Sequence, residues 1–123
     1  MNLSIIILSH NVSKLLKKAI ESIYKTYGEK DLQIIVVDNA SSDGTVEMIK
    51  KKFPKIDLVI SNTNTGFAAG NNLARKMSKG DIVLFLNPDT EVKGNAIKKC
   101  LEILTSKDEL GASELYLMHD EIG

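Results

Sequence analysis

Four short apolar runs, each closed by a cluster of small polar and acidic residues, constrain this chain more than any other feature. Leu3 to Leu8 ends at Ser9-His10-Asn11, and Ile34 to Val37 ends at the stretch Asp38 to Gly44. Leu58 to Ile60 runs into Asn62 to Gly70, and Ile82 to Leu86 closes at Asn87-Pro88-Asp89-Thr90. Stretches of helical period lie between them, and this alternation specifies β-α units and a mostly parallel sheet in a three-layer α/β sandwich. Strands are predicted at Leu3 to Leu8, Leu32 to Val37, Asp57 to Ile60, Asp81 to Leu86 and, with a weaker pattern, Glu114 to Met118. The first, second and fourth are apolar enough to be covered on both faces and are expected to be neighbours. Parallel strands joined by helices bring their ends to one edge, where open α/β sheets bind ligands, so the four clusters are expected to form one pocket.

The first helix is predicted from about Ser13, with Leu15, Leu16, Ala19, Ile20, Ile23, Tyr24 and Tyr27 as its buried stripe. Asp43 or Ser42 can cap a second helix through Val46, Ile49 and Phe53, stopped by Pro54. A third runs from about Ala68 to Met77, and Gly80 behind it suggests a left-handed C-terminal cap. The fourth carries Ile97, Cys100, Leu101 and Leu104 on one face. Lys50-Lys51-Lys52 reads as the solvated side of the second helix.

At 123 residues the chain is one domain's length, 1–123, too short for a nucleotide site plus a complete second-substrate site. Sixteen basic and 16 acidic residues give a net charge of +0, which argues against the broad positive field of a nucleic-acid binder. Cys100 has no partner for an intrachain disulfide and reads as a buried structural thiol. The N-terminal apolar stretch is only a strand long and has no basic segment before it, so it is neither a signal peptide nor a membrane span. The compartment reads as cytoplasmic.

Within the clusters, Asp38 leaves its strand as a carboxylate able to accept hydrogen bonds from a base or ribose, or to tie down the turn with Ser41 while Asp43 caps the next helix. Asn64 to Asn72 contains Gly66, Gly70 and Asn71 and runs into a helix, suiting either a diphosphate at the helix start or a loop packed against the sheet. Its glycine spacing matches neither a dinucleotide fingerprint nor a Walker loop. Asp89, held by Pro88, suits Mg²⁺ or Mn²⁺, and Asn-Pro-Asp-Thr equally reads as a turn. His10 is expected to be a hydrogen-bonded wall residue, and His119-Asp120-Glu121 is not expected to form a metal cluster.

In this order, Ile5 to Asn11, Ile35 to Thr45, Asn64 to Asn72 and Leu86 to Thr90 resemble the donor-binding half of a family 2 glycosyltransferase of the GT-A fold. The resemblance runs from Leu3 to about Glu114 and implies an inverting, metal-assisted transfer from a nucleotide diphospho-sugar to a saccharide or lipid-linked acceptor, as in polysaccharide biosynthesis. It implies that Asp38 bonds the nucleobase, that Ser9 and Asn11 line the base and ribose pocket with Ser41, Gly66 and Asn71 nearby, and that Asp89 holds a divalent ion on the diphosphate. The family's Asp-x-Asp begins here with Asn87, which removes one negative charge and turns residue 87 toward a phosphate-bound water or the donor sugar. Asn-Pro-Asp-Thr with Gly-Phe-Ala-Ala-Gly-Asn-Asn resembles a subgroup containing rhamnosyltransferases. The family's general base lies in a later half of the domain, so the chain reads as a truncated N-terminal part whose full-length parent sits at the inner face of the membrane as a peripheral protein. A non-catalytic nucleotide or nucleotide-sugar binding module is the alternative.

Overall fold

The computed structural model describes residues 2–61, 68–105 and 114–118, with backbone alone for 104, 105 and 114–118. Nine elements follow in strict alternation: β1 (Leu3–Ser9), α1 (Ser13–Thr26), β2 (Leu32–Asn39), α2 (Thr45–Lys52), β3 (Asp57–Ser61), α3 (Ala68–Met77), β4 (Ile82–Leu86), α4 (Ala96–Thr105) and β5 (Glu114–Met118). The strands form one sheet in the order β3-β2-β1-β4-β5, every pair parallel. All five predicted strands are present, and the three most apolar ones are neighbours at its centre, as expected.

Side chains alternate strictly across the central strands, which creates two cores. Leu3, Ile5 and Ile7 of β1, Ile34 and Val36 of β2, and Leu84 and Leu86 of β4 meet α1, α2 and α4 on one face. Ile6, Ile35, Val37, Val59 and Val83 meet Ala74 of α3 on the other. β1 is buried along its length, Ser4 and Ser9 included, with only Leu8 half-buried, a pattern only an interior parallel strand tolerates.

At the start of the strands a buried polar network fixes the register. Ser4 Oγ donates to Gln33 Oε1 at 2.7 Å, and Gln33 Nε2 donates to Asp57 Oδ2 at 2.8 Å and to the Met77 carbonyl at 3.1 Å. The backbone N–H of Gly80 then donates to Ser4 Oγ at 2.9 Å. β1, β2, β3 and the α3–β4 connection are thereby joined with their donors satisfied.

Three expectations are corrected. Gly80 is not a left-handed cap: a Cβ there would lie 2.5 Å from the Ser4 nitrogen and 2.8 Å from the Leu3 carbonyl carbon, so glycine serves close backbone approach to β1. The N-cap of α2 is Gly44, at φ 87°, while Asp43 accepts from Thr45 N–H from one residue upstream. Leu15 is 45% exposed because it sits at the margin of the α1 stripe, and Ser22 takes a buried place instead, donating to the Ala19 carbonyl and accepting from Val92 N–H. Tyr24, Tyr27 and Cys100 pack against the core, and burial pushes the Cys100 thiol up, as a structural cysteine requires. Lys50, Lys51 and Lys52 are exposed as predicted. Leu104's side chain, the loop containing Gly66 and the His119-Asp120-Glu121 cluster lie outside the described side chains.

The Gly80 geometry makes a test. Gly80→Ala meets main-chain atoms that cannot rotate away, so it should cost about 3 kcal/mol, at the upper end of overpacking substitutions. Gly94→Ala, where an added Cβ meets nothing within 4 Å, should cost less, about 1 kcal/mol from its positive φ. Thermal melts of the two variants beside the parent measure the difference.

Candidate donor site

The strand order puts the ends of β1, β2 and β4 side by side, with Ser9 in register with Asp38 and Ile7 in register with Leu86. Three polar connections therefore meet at one edge: Ser9 to Val12, Asn39 to Gly44, and Asn87 to Thr90.

The first two connections are tied directly to each other. Asn11 adopts a left-handed backbone at φ 52°, a conformation asparagine tolerates better than most residues, and this turns its main chain toward β2. Its N–H donates to Ser41 Oγ at 2.9 Å, and its side-chain oxygen accepts from Ser42 N–H at 2.7 Å. Ser41 in turn donates to Asp38, from Oγ to Oδ1 at 2.6 Å and from N–H to Oδ2 at 3.1 Å. The chain Asp38–Ser41–Asn11 clamps the two loops through charge-assisted and neutral bonds.

His10 extends the clamp. Its Nδ1 lies at short hydrogen-bond distance from the Asn39 carbonyl, which only accepts, so Nδ1 carries the proton. Nε2 is then an acceptor, and the Asn11 side-chain nitrogen lies 3.4 Å from it. The wall role expected of His10 matches this bonding.

Asp43 joins the two helix starts. Its Oδ2 accepts from Ser13 N–H at 3.0 Å and its Oδ1 from Thr45 N–H at 3.2 Å and from Thr45 Oγ1. One carboxylate thus serves the orphan donors of α1 and α2 together, where neither N-cap residue supplies a side-chain bond. Desolvation alone would raise the Asp43 carboxyl, but the bonds from Thr45 and Ser13 outweigh it and hold it below its ordinary value.

Asn87-Pro88-Asp89-Thr90 forms a turn closed by Thr90 N–H donating to the Asn87 carbonyl at 3.0 Å, with proline at the second position where its fixed φ suits a type I or II turn. The turn leaves Asp89 exposed and Asn87 partly so. Among the described residues no group of three or more His, Cys, Asp or Glu converges. An exposed carboxylate beside an amide is an all-oxygen donor set, which fits a hard cation taking its remaining ligands from phosphate and water.

The residues expected in the pocket separate into two sets. Asn11, Ser41, Asn87 and Asp89 stand at the accessible edge, and Asn71 on the second turn of α3 has a buried side-chain oxygen with no partner among the described residues. Ser9 and Asp38 face inward, at 0% and 1% exposure. Each Asp38 oxygen accepts one bond from Ser41 and keeps a further lone pair, so what limits the nucleobase contact assigned to it by resemblance is its burial and not its bonding. In this turn its part is to position Ser41. Gly70 also turns inward: a Cβ there would lie 2.6 Å from Val37 Cγ1, so it lets α3 approach β2. The double bond-taking by Asp43 was hidden in the sequence, where Asp-Gly-Thr reads only as a local cap; the positive-φ asparagine of Ser-His-Asn is the signal that brings Ser13 within its reach.

Residues 4–113 match the family described as glycosyl transferase family 2. The chain belongs to this family. Among its relatives, the uncharacterized glycosyltransferase YfnE of Bacillus subtilis is 29% identical over 94% of this chain and 30% of its own length. The UDP-Glc:alpha-D-GlcNAc-diphosphoundecaprenol beta-1,3-glucosyltransferase WfaP of Escherichia coli is 35% identical over 70% of this chain and 34% of its own. The crystal structure of Staphylococcus aureus TarS 1-349 in complex with UDP-GlcNAc superposes with a TM-score of 0.71 at 27% identity, over 86% of this chain and 32% of that one. The mannosyltransferase PcManGT of Pyrobaculum calidifontis, in complex with GDP-Man and Mn²⁺, shares the fold at a TM-score of 0.72 and 23% identity, over 84% and 32%. The family 2 chain thus has the GT-A fold and spans about a third, or less, of the lengths of these relatives.

The Asp43 geometry gives a pH test. A carboxyl lowered by folding contributes stability that is present above its unfolded value near 3.8 and is lost as pH falls through the lower folded value. Asp43→Asn should therefore melt below the parent at neutral pH, by under about 1 kcal/mol for so exposed a group. The gap should narrow in melts carried below pH 3.8.

Proposed function

We propose that residues 1–123 form a single donor-binding domain of an inverting, nucleotide-sugar-dependent glycosyltransferase. The observation that supports this best is the clamped edge itself: in a family 2 chain, the loops after β1 and β2 are cross-bonded by Asn11, Ser41 and Ser42 beside the turn that presents Asp89. Such a cross-bonded edge is preorganised, so a ligand need not supply the cost of ordering two loops.

In this reading Asn11 and Ser41 shape the base and ribose side, with Ser9 and Asp38 beneath them. Asn71 and the Gly66 loop approach the diphosphate, and Asn87 orients a phosphate-bound water or the donor sugar. Asp89 would hold Mg²⁺ or Mn²⁺, which when bound neutralises charge on the leaving diphosphate. Asp89's own contribution is an exposed carboxylate fixed by a proline turn, placed without burial cost. The acceptor hydroxyl attacks the anomeric carbon opposite the leaving diphosphate; a general base within hydrogen-bond reach of that hydroxyl, and the acceptor surface, are assigned to sequence beyond this chain. The activity named for WfaP and the UDP-GlcNAc bound by TarS support a nucleotide-sugar donor, with a saccharide or lipid-linked acceptor and a role in polysaccharide biosynthesis. Among the described residues no helix is long and apolar enough to cross a membrane.

The second reading, a nucleotide-sugar binding module without turnover, is favoured by Asn87, which leaves Asp89 as the one carboxylate of its turn.

Calorimetry with UDP, dTDP and GDP, with and without Mn²⁺, tests the site. One of the three should bind, more tightly with Mn²⁺; Asp89→Ala should remove the Mn²⁺-dependent gain and leave the melt within about 0.5 kcal/mol of the parent, as for surface substitutions generally. No binding by any nucleotide at millimolar concentration would sink the donor assignment. Transfer by the full-length parent separates enzyme from binding module.

A further inference from the structure

The chain is electrically neutral, yet its charge is unevenly placed. α1 and α2 lie together on one face of the sheet, and between them they hold seven of the chain's 16 lysines and arginines but two of its 16 acidic residues, Glu21 and Glu47. On α1 the lysines fall on the side opposite the buried stripe: Lys14, Lys18 and Lys25 are exposed and Lys17 partly so. The Lys50 to Lys52 run continues the surface on α2, where all three are exposed. Lys17 joins the two helices; its contact with Lys52 pushes that ammonium below its ordinary value. Like charges gathered this way gain nothing from one another in the folded chain and raise its free energy.

We propose that the outer surface of α1 and α2 is a docking surface for an anionic lipid bilayer. Charge complementarity identifies the partner. The cations of this surface, which flank the exposed Glu21, are all lysine: the chain's one arginine, Arg75, lies exposed on α3 in the opposite layer, and the chain has no tryptophan. Nucleic-acid surfaces use arginine forks and stacking aromatics, whereas an anionic bilayer needs only point charges near its surface, each acting almost independently. Leu15, 45% exposed beside Lys14, supplies an apolar contact at one end of the lysine stripe.

The position of that end ties the surface to the site. A groove of about 410 Å³ lined by Asn11, Val12, Ser13, Lys14, Leu15 and Asp43 runs from the clamp to the first turn of α1. Docking through α1 would bring the lip of the donor edge to the bilayer, where a lipid-linked acceptor lies. This orientation rests on the donor reading above; the lipid contact does not.

Vesicle co-sedimentation of the chain, without nucleotide, tests the proposal. It should sediment with phosphatidylcholine vesicles containing phosphatidylglycerol, not with phosphatidylcholine alone, and the binding should fall at high salt. Replacing Lys14, Lys18, Lys25 and Lys51 together by Gln should lower partitioning by about a hundredfold or more. Arg75→Gln with Lys76→Gln, on the opposite layer, should leave it unchanged, and circular dichroism melts should show both variants folded. The proposal is overturned by no sedimentation with anionic vesicles, by equal sedimentation of the lysine variant, by tighter binding to polyuridylate than to vesicles, or by self-association that the lysine variant abolishes. UDP calorimetry on the same variant keeps the two readings apart: vesicle binding without UDP binding would leave the docking surface standing and remove the donor site.

Discussion

Everything in this chain hangs from the central position of β1. It pairs in parallel with β2 on one side and β4 on the other, and its side chains alternate into two separate cores. Because Ile7 is opposite both Val36 and Leu86, the ends of three strands coincide at one edge with no freedom to slide. A slip of one residue would send Ile5 and Ile7 to the α3 face and Ile6 to the other, exchanging two cores of different size. Register and site are therefore one constraint.

Among the described residues, the order of the edge so formed comes from hydrogen bonds. Asp38 holds Ser41, Ser41 holds Asn11, and Asn11 orders His10, so a buried carboxylate at the foot of the pocket governs groups at its rim. Asp43 works similarly for the two helix starts. The Asp38–Ser41 bonds are part-buried and the outer ones exposed, so the network is most rigid at its base and open to water at its rim. That rigidity suits a donor site that must hold a flexible diphosphate in one geometry.

Much of this was legible in the residues, for identifiable reasons. Continuous runs such as Ile5-Ile6-Ile7 can only be interior parallel strands, and the weaker Glu114 to Met118 pattern also proved to be a strand because β4 offers it an edge. The polar clusters after β1, β2 and β4 meet at one edge because parallel pairing in register sets those strand ends side by side. What escaped was long-range: Gly80 looks like a cap until β1 is seen 2.5 Å from its missing Cβ. Asp43 looks like a local cap until Ser13 is seen donating to it from 30 residues away. Sequence shows which groups are polar, whereas which of them face outward depends on partners about 30 residues away, beyond any local pattern.

The central claim is that one ligand site occupies the shared end of β1, β2 and β4. Backbone amide chemical shifts of the isotopically labelled chain, recorded as UDP is added in the presence of Mg²⁺, test it most directly. The account predicts that shifts concentrate in His10 to Ser13, Asn39 to Ser42 and Asn87 to Thr90 and leave Gln33, Lys79 and Gly80, at the opposite end of the strands, unmoved. Shifts gathered at that opposite end, or spread without preference over the helices, would contradict it.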